Sequence, residues 1–440
     1  MEFMTGQVKS TDMDIFALME AIDGSKVQTH GMIYSKKDMG DFSFITLRKS
    51  NALVQCIIEK GIFDTSKISP ECAIKIEGVV KKDDRAPNGI EIHINNLEVL
   101  SKPSAPTPVN LSKRKLGMNL ETNVSMRPVT MRNVRERAVF KLQEGVVKGF
   151  RDYFTKEGFT EIRTPKIVAN GAEGGANIFK LDYFGKKAFL AQSPQFYKQT
   201  LVGVFEKVFE IGPVFRAEKH NTTRHLNEYI GIDMEMGFID SFNDLMEAET
   251  GALQHMVKTL ETEYSREIRI LGLELPNVEK IPTVRFDTAK QMVSEAYDRR
   301  IKDPFDLEPE EEQLISKLFK EKYDADFVFV THYPVKKRPF YAIDDPEDEK
   351  YTLSFDLLFR GMEITTGGQR IHDYDEQVAK MISKGLDPAD FESYLMIHKH
   401  GMPPHGGLGM GLERLCMKLL DGANVREATM FPRDMSRLIP

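Results

Sequence analysis

Four patches of sequence hold residues able to do chemistry together. The text KVFEIGPVF runs into Arg216, Ala217 and Glu218, and after a polar loop the chain returns through Arg224, His225 and Leu226. Two guanidiniums, a carboxylate and an imidazole are thereby gathered around one hairpin, and a planar guanidinium fork suits a carboxylate or phosphate oxygen pair. The return strand carries Asp233 and Glu235 at i and i+2, which the two-residue period of a strand places on one face. Near the C-terminus, HGGLGMGLERLCMKLLDG sets glycines 407, 409 and 411 ahead of Leu412, Glu413 and Arg414. It matches neither G-x-x-x-x-G-K-[ST] nor G-x-G-x-x-G. We expect a flexible glycine turn into a helix, where backbone approaches a flat ligand such as a purine and Arg414 reaches a polyphosphate. In GFTEIRTPKIV, Pro165 interrupts strand-like text. Proline cannot donate to a ladder, so it belongs at an edge, a bulge or an interface.

The elements that must position these residues are readable from periodicity. In RNVRERAVFKLQEGVVKGFRDYFTKEGF, Val134, Ala138, Phe140, Leu142, Val146, Val147, Phe150 and Phe154 recur at helical spacing and Gly158 supplies the stop. Strand-like pieces follow, then a helix-rich, acidic insertion over about 241–323, then DFVFVTHYP and YTLSFDLLFRGMEITTGG. Hairpin-like strands without alternating βα units predict an antiparallel sheet flanked by helices, an α+β arrangement. Upstream, short β-rich runs between Lys26 and Leu100 predict a five-stranded barrel. The segment SKPSAPTPVNLSKRK, with Pro103, Pro106 and Pro108, reads as an extended linker. The chain is expected to divide into a short extension (1–24), a barrel domain (25–102), a linker (103–130) and a large α+β domain (131–440).

Composition narrows the class. A chain of 440 residues, 41% hydrophobic and 29% charged, excludes disorder and is too long for one core. No run approaches the ~20 apolar residues that cross a bilayer, and acids occupy the first residues, so no membrane and a cytoplasmic location are expected. Cys56, Cys72 and Cys416 form no CxxC pair and read as buried thiols. The net charge of −7 is unevenly placed: 113–137 is strongly basic, while 303–312 holds Asp303, Asp306, Glu308, Glu310, Glu311 and Glu312 with no base. A phosphate-binding face on an acidic protein is compatible with that distribution.

Taken in order, the proline-bearing strand after the long helix, the Arg216 hairpin and the glycine-led helix match the three signature motifs of class II aminoacyl-tRNA synthetases. LAQSPQFYKQ, EIGPVFRAEKHNTTRHLNE, GIDMEMGF, EITTGGQRIHDYDEQ, GMPPHGGLGMGLER and FPRDMSRLIP further resemble the aspartyl-tRNA synthetases of the archaeal and eukaryotic cytosolic type. The barrel stands where that family has its anticodon-binding OB fold.

The resemblance implies roles for particular residues. Arg216, Glu218 and Arg224 would meet ATP, His225 and Leu226 would close over the nucleotide, and Gly411, Leu412, Glu413 and Arg414 would serve the adenine and γ-phosphate. Glu363 matches a magnesium-binding acid. Where the family usually has serine at the second Mg²⁺ position, this chain has Thr366, which keeps the hydroxyl. Glu173, Gln195 and Asp233 would surround the amino group of L-aspartate, while Lys198 and Arg370 would hold its side-chain carboxylate. Phe44, Gln55 and Glu91 would read the anticodon of tRNA-Asp. The implied reaction is ATP-dependent formation of aspartyl-adenylate and transfer to the terminal ribose, by a homodimer paired through the long helix and the Pro165 strand. The rivals are an asparaginyl-tRNA synthetase, against which Lys198 and the GGQR text speak, and a non-catalytic relative, against which Arg216, Glu363 and Arg414 speak.

Overall fold

The computed structural model describes residues 12–50, 52–171, 177–219 and 222–439. The chain divides into two compact units, Met1–Gly117 with Val129–Val134, and Met118–Pro128 with Arg135–Pro440. In the first unit Lys26–Asp38 (β1), Phe42–Arg48 (β2), Leu53–Glu59 (β3), Ala73–Lys82 (β4) and Ile90–Ser101 (β5) close a barrel in the order β1-β2-β3-β5-β4. Ile33, Ile45, Leu47, Val54, Ile58, Ile74, Ile76, Ile92 and Ile94 fill it, with Cys56 and Cys72 among them as free thiols. Alternation along β3, and along β2 as far as Leu47, buries one side chain in two, the pattern of a sheet with one face in a core. The barrel expected from short β-rich runs is therefore present.

The second unit is built on a sheet. Its strands are Thr160–Glu161 (β6), Ile167–Val168 (β7), Lys180–Tyr183 (β8), Lys186–Leu190 (β9), Lys207–Phe215 (β10), Glu228–Gly237 (β11), Thr283–Arg285 (β12) and Phe327–Thr331 (β13). Asp344–Asp345 (β14), Asp348–Thr352 (β15), Ser354–Phe359 (β16), Met362–Gln369 (β17) and His405–Gly411 (β18) complete the set. Eight of them form one mixed sheet, β12-β13-β16-β17-β18-β11-β10-β6, whose central pairs are antiparallel. Only the outermost strands pair in parallel, β12 with β13 and β6 with β10. The helix Val134–Lys156 buries Ala138, Phe140, Leu142, Val146, Phe150 and Phe154 and packs against the helix Asn243–Glu263 in the main core. Gly149 allows that approach, because a Cβ there would stand 2.6 Å from the Met256 Cα.

Three readings of the sequence change here. The glycine-rich run 405–411 is not a flexible turn but β18, at the centre of the sheet between β17 and β11. A Cβ on Gly407 would fall on the Glu235 carboxylate and the Met234 carbonyl, so the glycine makes room for a buried charge on the neighbouring strand. In the stretch read as a linker, 102–119 carries neither helix nor strand, but two short helices follow, Leu120–Ser125 and Arg127–Thr130. The basic run is only partly available to a ligand. Arg127 pairs with Glu136 (3.1 Å), Arg132 with Glu71 (2.8 Å), and Arg135 donates to the carbonyls of Ile270 and Leu271, whereas Lys113, Arg114 and Lys115 remain exposed.

The candidate active site

A cavity of about 380 Å³ opens over the central strands of the large sheet. Most of the residues singled out in the sequence line it: Gln195, Lys198, Arg216, Glu218, Arg224, His225, Leu226, Asp233, Glu363, Thr366, Arg370, Gly411, Glu413 and Arg414. Leu412 instead packs in the core, and Glu173 lies outside the described residues.

One end of the cavity is a buried charge cluster. Lys198, on the helix Gln195–Phe205, is only 1% exposed. Its Nζ donates to Asp233 Oδ1 (2.9 Å) and the Leu408 carbonyl (2.8 Å) and lies 3.4 Å from Glu235 Oε2. Asp233 and Glu235 thus share a face, as the period of β11 requires. Arg370, just beyond β17, donates to Glu235 through Nε (2.8 Å) and Nη2 (3.4 Å). Burial pushes the Glu235 carboxyl up, but Arg370 and Lys198 outweigh it and hold the group below the usual carboxylate range. Burial dominates at Asp233, whose pKa is raised despite Lys198. Gln195 adds a buried amide nitrogen that finds no hydrogen-bond partner among the described residues, a donor suited to a polar ligand.

The other end is anionic at its floor and ringed by arginines. Glu363 and Thr366 stand three apart on β17, a spacing that in a regular strand sends side chains to opposite faces. The ladder between β16 and β17 slips there: Leu357 pairs with Thr365 and Leu358 with Glu363, leaving Ile364 as an extra residue. This bulge restores both side chains to one face, and the Thr366 hydroxyl donates to Glu363 Oε1 at 3.2 Å. Asp356, paired with Thr366 across the ladder, joins them. Burial raises the Asp356 pKa to about 6 against the pull of Arg338, whereas at Glu363 burial is outweighed by Arg414, Arg338, Arg224 and Arg216 and the pKa is lowered.

The arginine ring is tied into the backbone. The Asn227 side chain donates to the carbonyls of Arg216 (2.7 Å) and Glu218 (3.1 Å), fixing the chain as it leaves β10. Arg414, in the first turn of the helix Leu412–Leu419, donates to the carbonyls of Arg224 (3.3 Å) and Glu363 (3.2 Å). Glu413 turns to the sheet, where its buried carboxyl accepts the Ile230 N–H and burial pushes its pKa up to about 7.

This geometry is accompanied by matches along the whole chain. Residues 119–435 match the model of the class II tRNA synthetases (D, K and N), and residues 27–100 match that of the OB-fold nucleic acid binding domain. The chain belongs to the class II tRNA synthetases. It is 45% identical to the aspartate–tRNA(Asp/Asn) ligase of Deinococcus radiodurans over 95% of this chain and 96% of that one. It is 40% identical to the aspartate–tRNA(Asp) ligase of Pyrococcus abyssi over 96% of this chain and 98% of that one. Among solved structures it is similar to the asparaginyl-tRNA synthetase of Pyrococcus horikoshii complexed with asparaginyl-adenylate, with a TM-score of 0.89 and 31% identity over 98% of this chain and 99% of that one.

Two residues of the synthetase site escaped the sequence reading. Asp356 sits in SFDLLF, whose otherwise apolar text reads as core, and its only signal is an acid in a fully buried strand. Arg338 is buried against Asp356 (2.7 Å) with its guanidinium carbon 4.0 Å from the Tyr333 ring centroid, and nothing in VKKRPF distinguishes it from its basic neighbours. The three oxygen donors of Asp356, Glu363 and Thr366 suit a hard cation such as Mg²⁺, which takes one or two carboxylates and completes its shell with water and substrate phosphate. The threonine hydroxyl is directed at this group, so its extra methyl does not remove it.

In the barrel of the synthetase, Phe44 is half-buried on the outer side of β2, edge-to-face with Phe42 at 5.1 Å, while Ser43 and Ile45 point inward. Gln55 pairs in register with Thr46 on β2 and with Glu91 on β5 and donates to the Glu91 carboxylate at 3.1 Å. His93, 2.9 Å from Glu91, extends this polar surface.

Proposed function

We propose that the chain is an aspartate–tRNA ligase, which joins L-aspartate to ATP and passes the aspartyl group to tRNA-Asp. The observation that carries this reading is the pair Lys198 and Arg370, two buried cations at one end of the cavity. A carboxylate entering there would accept from Lys198 and Arg370 beside the acids Asp233 and Glu235, whereas the amide NH₂ of asparagine would turn a further donor toward the two cations. Both curated relatives above are named for aspartate, which agrees with this choice over the asparaginyl alternative.

The α-carboxylate of aspartate is ionised at neutral pH and needs no general base. Its oxygen has to lie in line with the α-phosphorus of ATP, which places the amino acid between the Lys198 end and the arginine ring. Asp233, Gln195 and Glu173 would surround the ammonium of the amino acid, and Lys198 and Arg370 would hold its side-chain carboxylate. Arg216 presents its fork to the α-phosphate as negative charge builds there, and Arg414 and Arg224 take the outer phosphates. Glu363, Asp356 and Thr366 would hold Mg²⁺, which when bound supplies further charge neutralisation at the phosphates. Pyrophosphate leaves, and the ribose hydroxyl of the tRNA 3′ end attacks the aspartyl carbonyl of the mixed anhydride, releasing AMP. Formation of aspartyl-tRNA-Asp from aspartate, ATP and tRNA transcript tests the whole reading; a protein that charges the transcript with asparagine but not aspartate would overturn it.

Among the described residues no helix is long and apolar enough to cross a membrane, and we place the enzyme in the cytoplasm. The outer barrel face bearing Phe44, Gln55 and Glu91 would take the anticodon, with unstacked bases resting on the aromatic ring. Phe44→Ala is then expected to weaken tRNA charging by about 5- to 160-fold, corresponding to stacking worth ~1–3 kcal/mol, while ATP–pyrophosphate exchange is unchanged. Equal losses in both assays would mean that Phe44 only supports the barrel. The enzyme would act as a homodimer paired through the long helix and the segment bearing Pro165, which lies between β6 and β7 outside any strand and is exposed together with Ile167. Sedimentation at micromolar concentration is expected to give the dimer mass; a fully active monomer would exclude that assembly.

A further inference from the structure

The acids of the run 303–312 are paired with bases, and two of them, Glu311 and Glu312, are buried. Glu308 and Glu311 form the capping box that starts the helix Pro309–Tyr323, and Glu311 is also buried against Lys290 at 2.6 Å. Asp303 and Asp306 face Lys337, and Glu308 and Glu310 pair with Arg299. Asp306 lines the cavity, whereas Glu312 lies behind the lining and reaches Arg224 and Glu363, two residues that do line it. The Glu312 side chain is 6% exposed, and a single oxygen, Oε2, accepts both Arg224 Nη2 (2.6 Å) and the backbone N–H of Glu363 (3.0 Å). One carboxylate therefore joins the loop that follows β10 to the strand bearing the metal-site acid. The Arg224 Nε is buried without a hydrogen-bond partner among the described residues, so Glu312 engages one edge of the guanidinium and leaves another donor unused.

We propose that Glu312, supplied by the acidic insertion, is a positioning residue for ATP: it holds Arg224 by one edge so that the rest of the guanidinium is set for the triphosphate. The inference rests on the adenylation reading above. It explains why a helix outside the three motifs is clamped so firmly at its start, since any drift of its first turn would move Arg224. The cost of ordering a long arginine side chain is met in the free enzyme rather than on binding.

The test is ATP–pyrophosphate exchange by the full-length protein, with melting temperatures measured alongside. Glu312→Gln is expected to raise KM for ATP about 10-fold, the size of a lost charge-assisted hydrogen bond, with KM for aspartate unchanged. Because Glu312 acts through Arg224, the double variant Glu312→Gln, Arg224→Ala is expected to match Arg224→Ala alone. Unchanged ATP kinetics in Glu312→Gln, equal changes for both substrates, or losses that multiply in the double variant would each overturn the proposal. Absence of exchange in the unmodified protein would overturn the adenylation reading instead, so the two failures are distinguishable.

Discussion

Lys198→Leu is expected to lower kcat/KM for aspartate by at least about 100-fold, roughly 2.7 kcal/mol, in pyrophosphate exchange. The ammonium is 1% exposed and already desolvated, so the free energy of bringing it out of water has been spent in the folded protein. The substrate carboxylate then gains a charge-assisted contact in a site from which most water is excluded. Leucine keeps the bulk but offers no donor, and Asp233, already raised in pKa by burial, loses its nearest cation. In the proposed arrangement ATP would be held by the arginines rather than by Lys198, so its KM is expected to stay within about two-fold, the change left when no ATP contact is lost. Discrimination against asparagine should collapse in the same variant, because the pocket would no longer penalise a neutral amide. A variant with unchanged aspartate kinetics and intact rejection of asparagine would show that Lys198 is a structural cation only.

The second large effect is expected at Arg216. It follows β10 on a backbone pinned by Asn227, and it lines the cavity with Glu363 among the charges it acts on. Charge on the α-phosphate grows as the aspartate oxygen bonds to phosphorus, so a cation fixed there contributes more to the transition state than to the ground state. Arg216→Gln is expected to lower kcat for exchange by about 100- to 1000-fold, the range seen when one preorganised electrostatic donor is removed, with a smaller change in KM for ATP. Rapid-quench measurement of adenylate formation in a single turnover checks this directly. A variant retaining more than about a tenth of the single-turnover rate would remove Arg216 from the chemical step.

How much of this was legible in the sequence depended on whether local pattern or long-range pairing decided the outcome. The helix Val134–Lys156 was readable because its apolar stripe is periodic and its stop is local, and the barrel because its strands alternate between short turns. The glycines of β18 misled, since a run that suggests a pliant loop is tolerated in a central strand when neighbouring strands and the Glu235 carboxylate occupy the space of the missing side chains. Glu363 and Thr366 were recognised by resemblance alone. Their spacing is wrong for a regular strand, and the bulge at Ile364 that brings them together belongs to the pairing with β16. Asp356 was invisible for the same reason, because it becomes a site residue only through its register with Thr366. The acidic run illustrates the general case: six acids in ten residues have one composition, yet their tasks are divided by partners elsewhere in the chain, Lys337 for Asp303 and Asp306, Arg299 for Glu308 and Glu310, Lys290 for Glu311 and Arg224 for Glu312.

The central claim is that this cavity activates aspartate, and tRNA-independent ATP–pyrophosphate exchange tests it most directly when run in parallel with aspartate and with asparagine as the only amino acid. The two buried cations predict Mg²⁺-dependent exchange with aspartate and a kcat/KM for asparagine lower by several orders of magnitude, as expected when a site built around one polar group meets an analogue that cannot pair with it. Exchange supported equally well by asparagine, or by asparagine alone, would contradict the assignment of Lys198 and Arg370 and with it the proposed substrate.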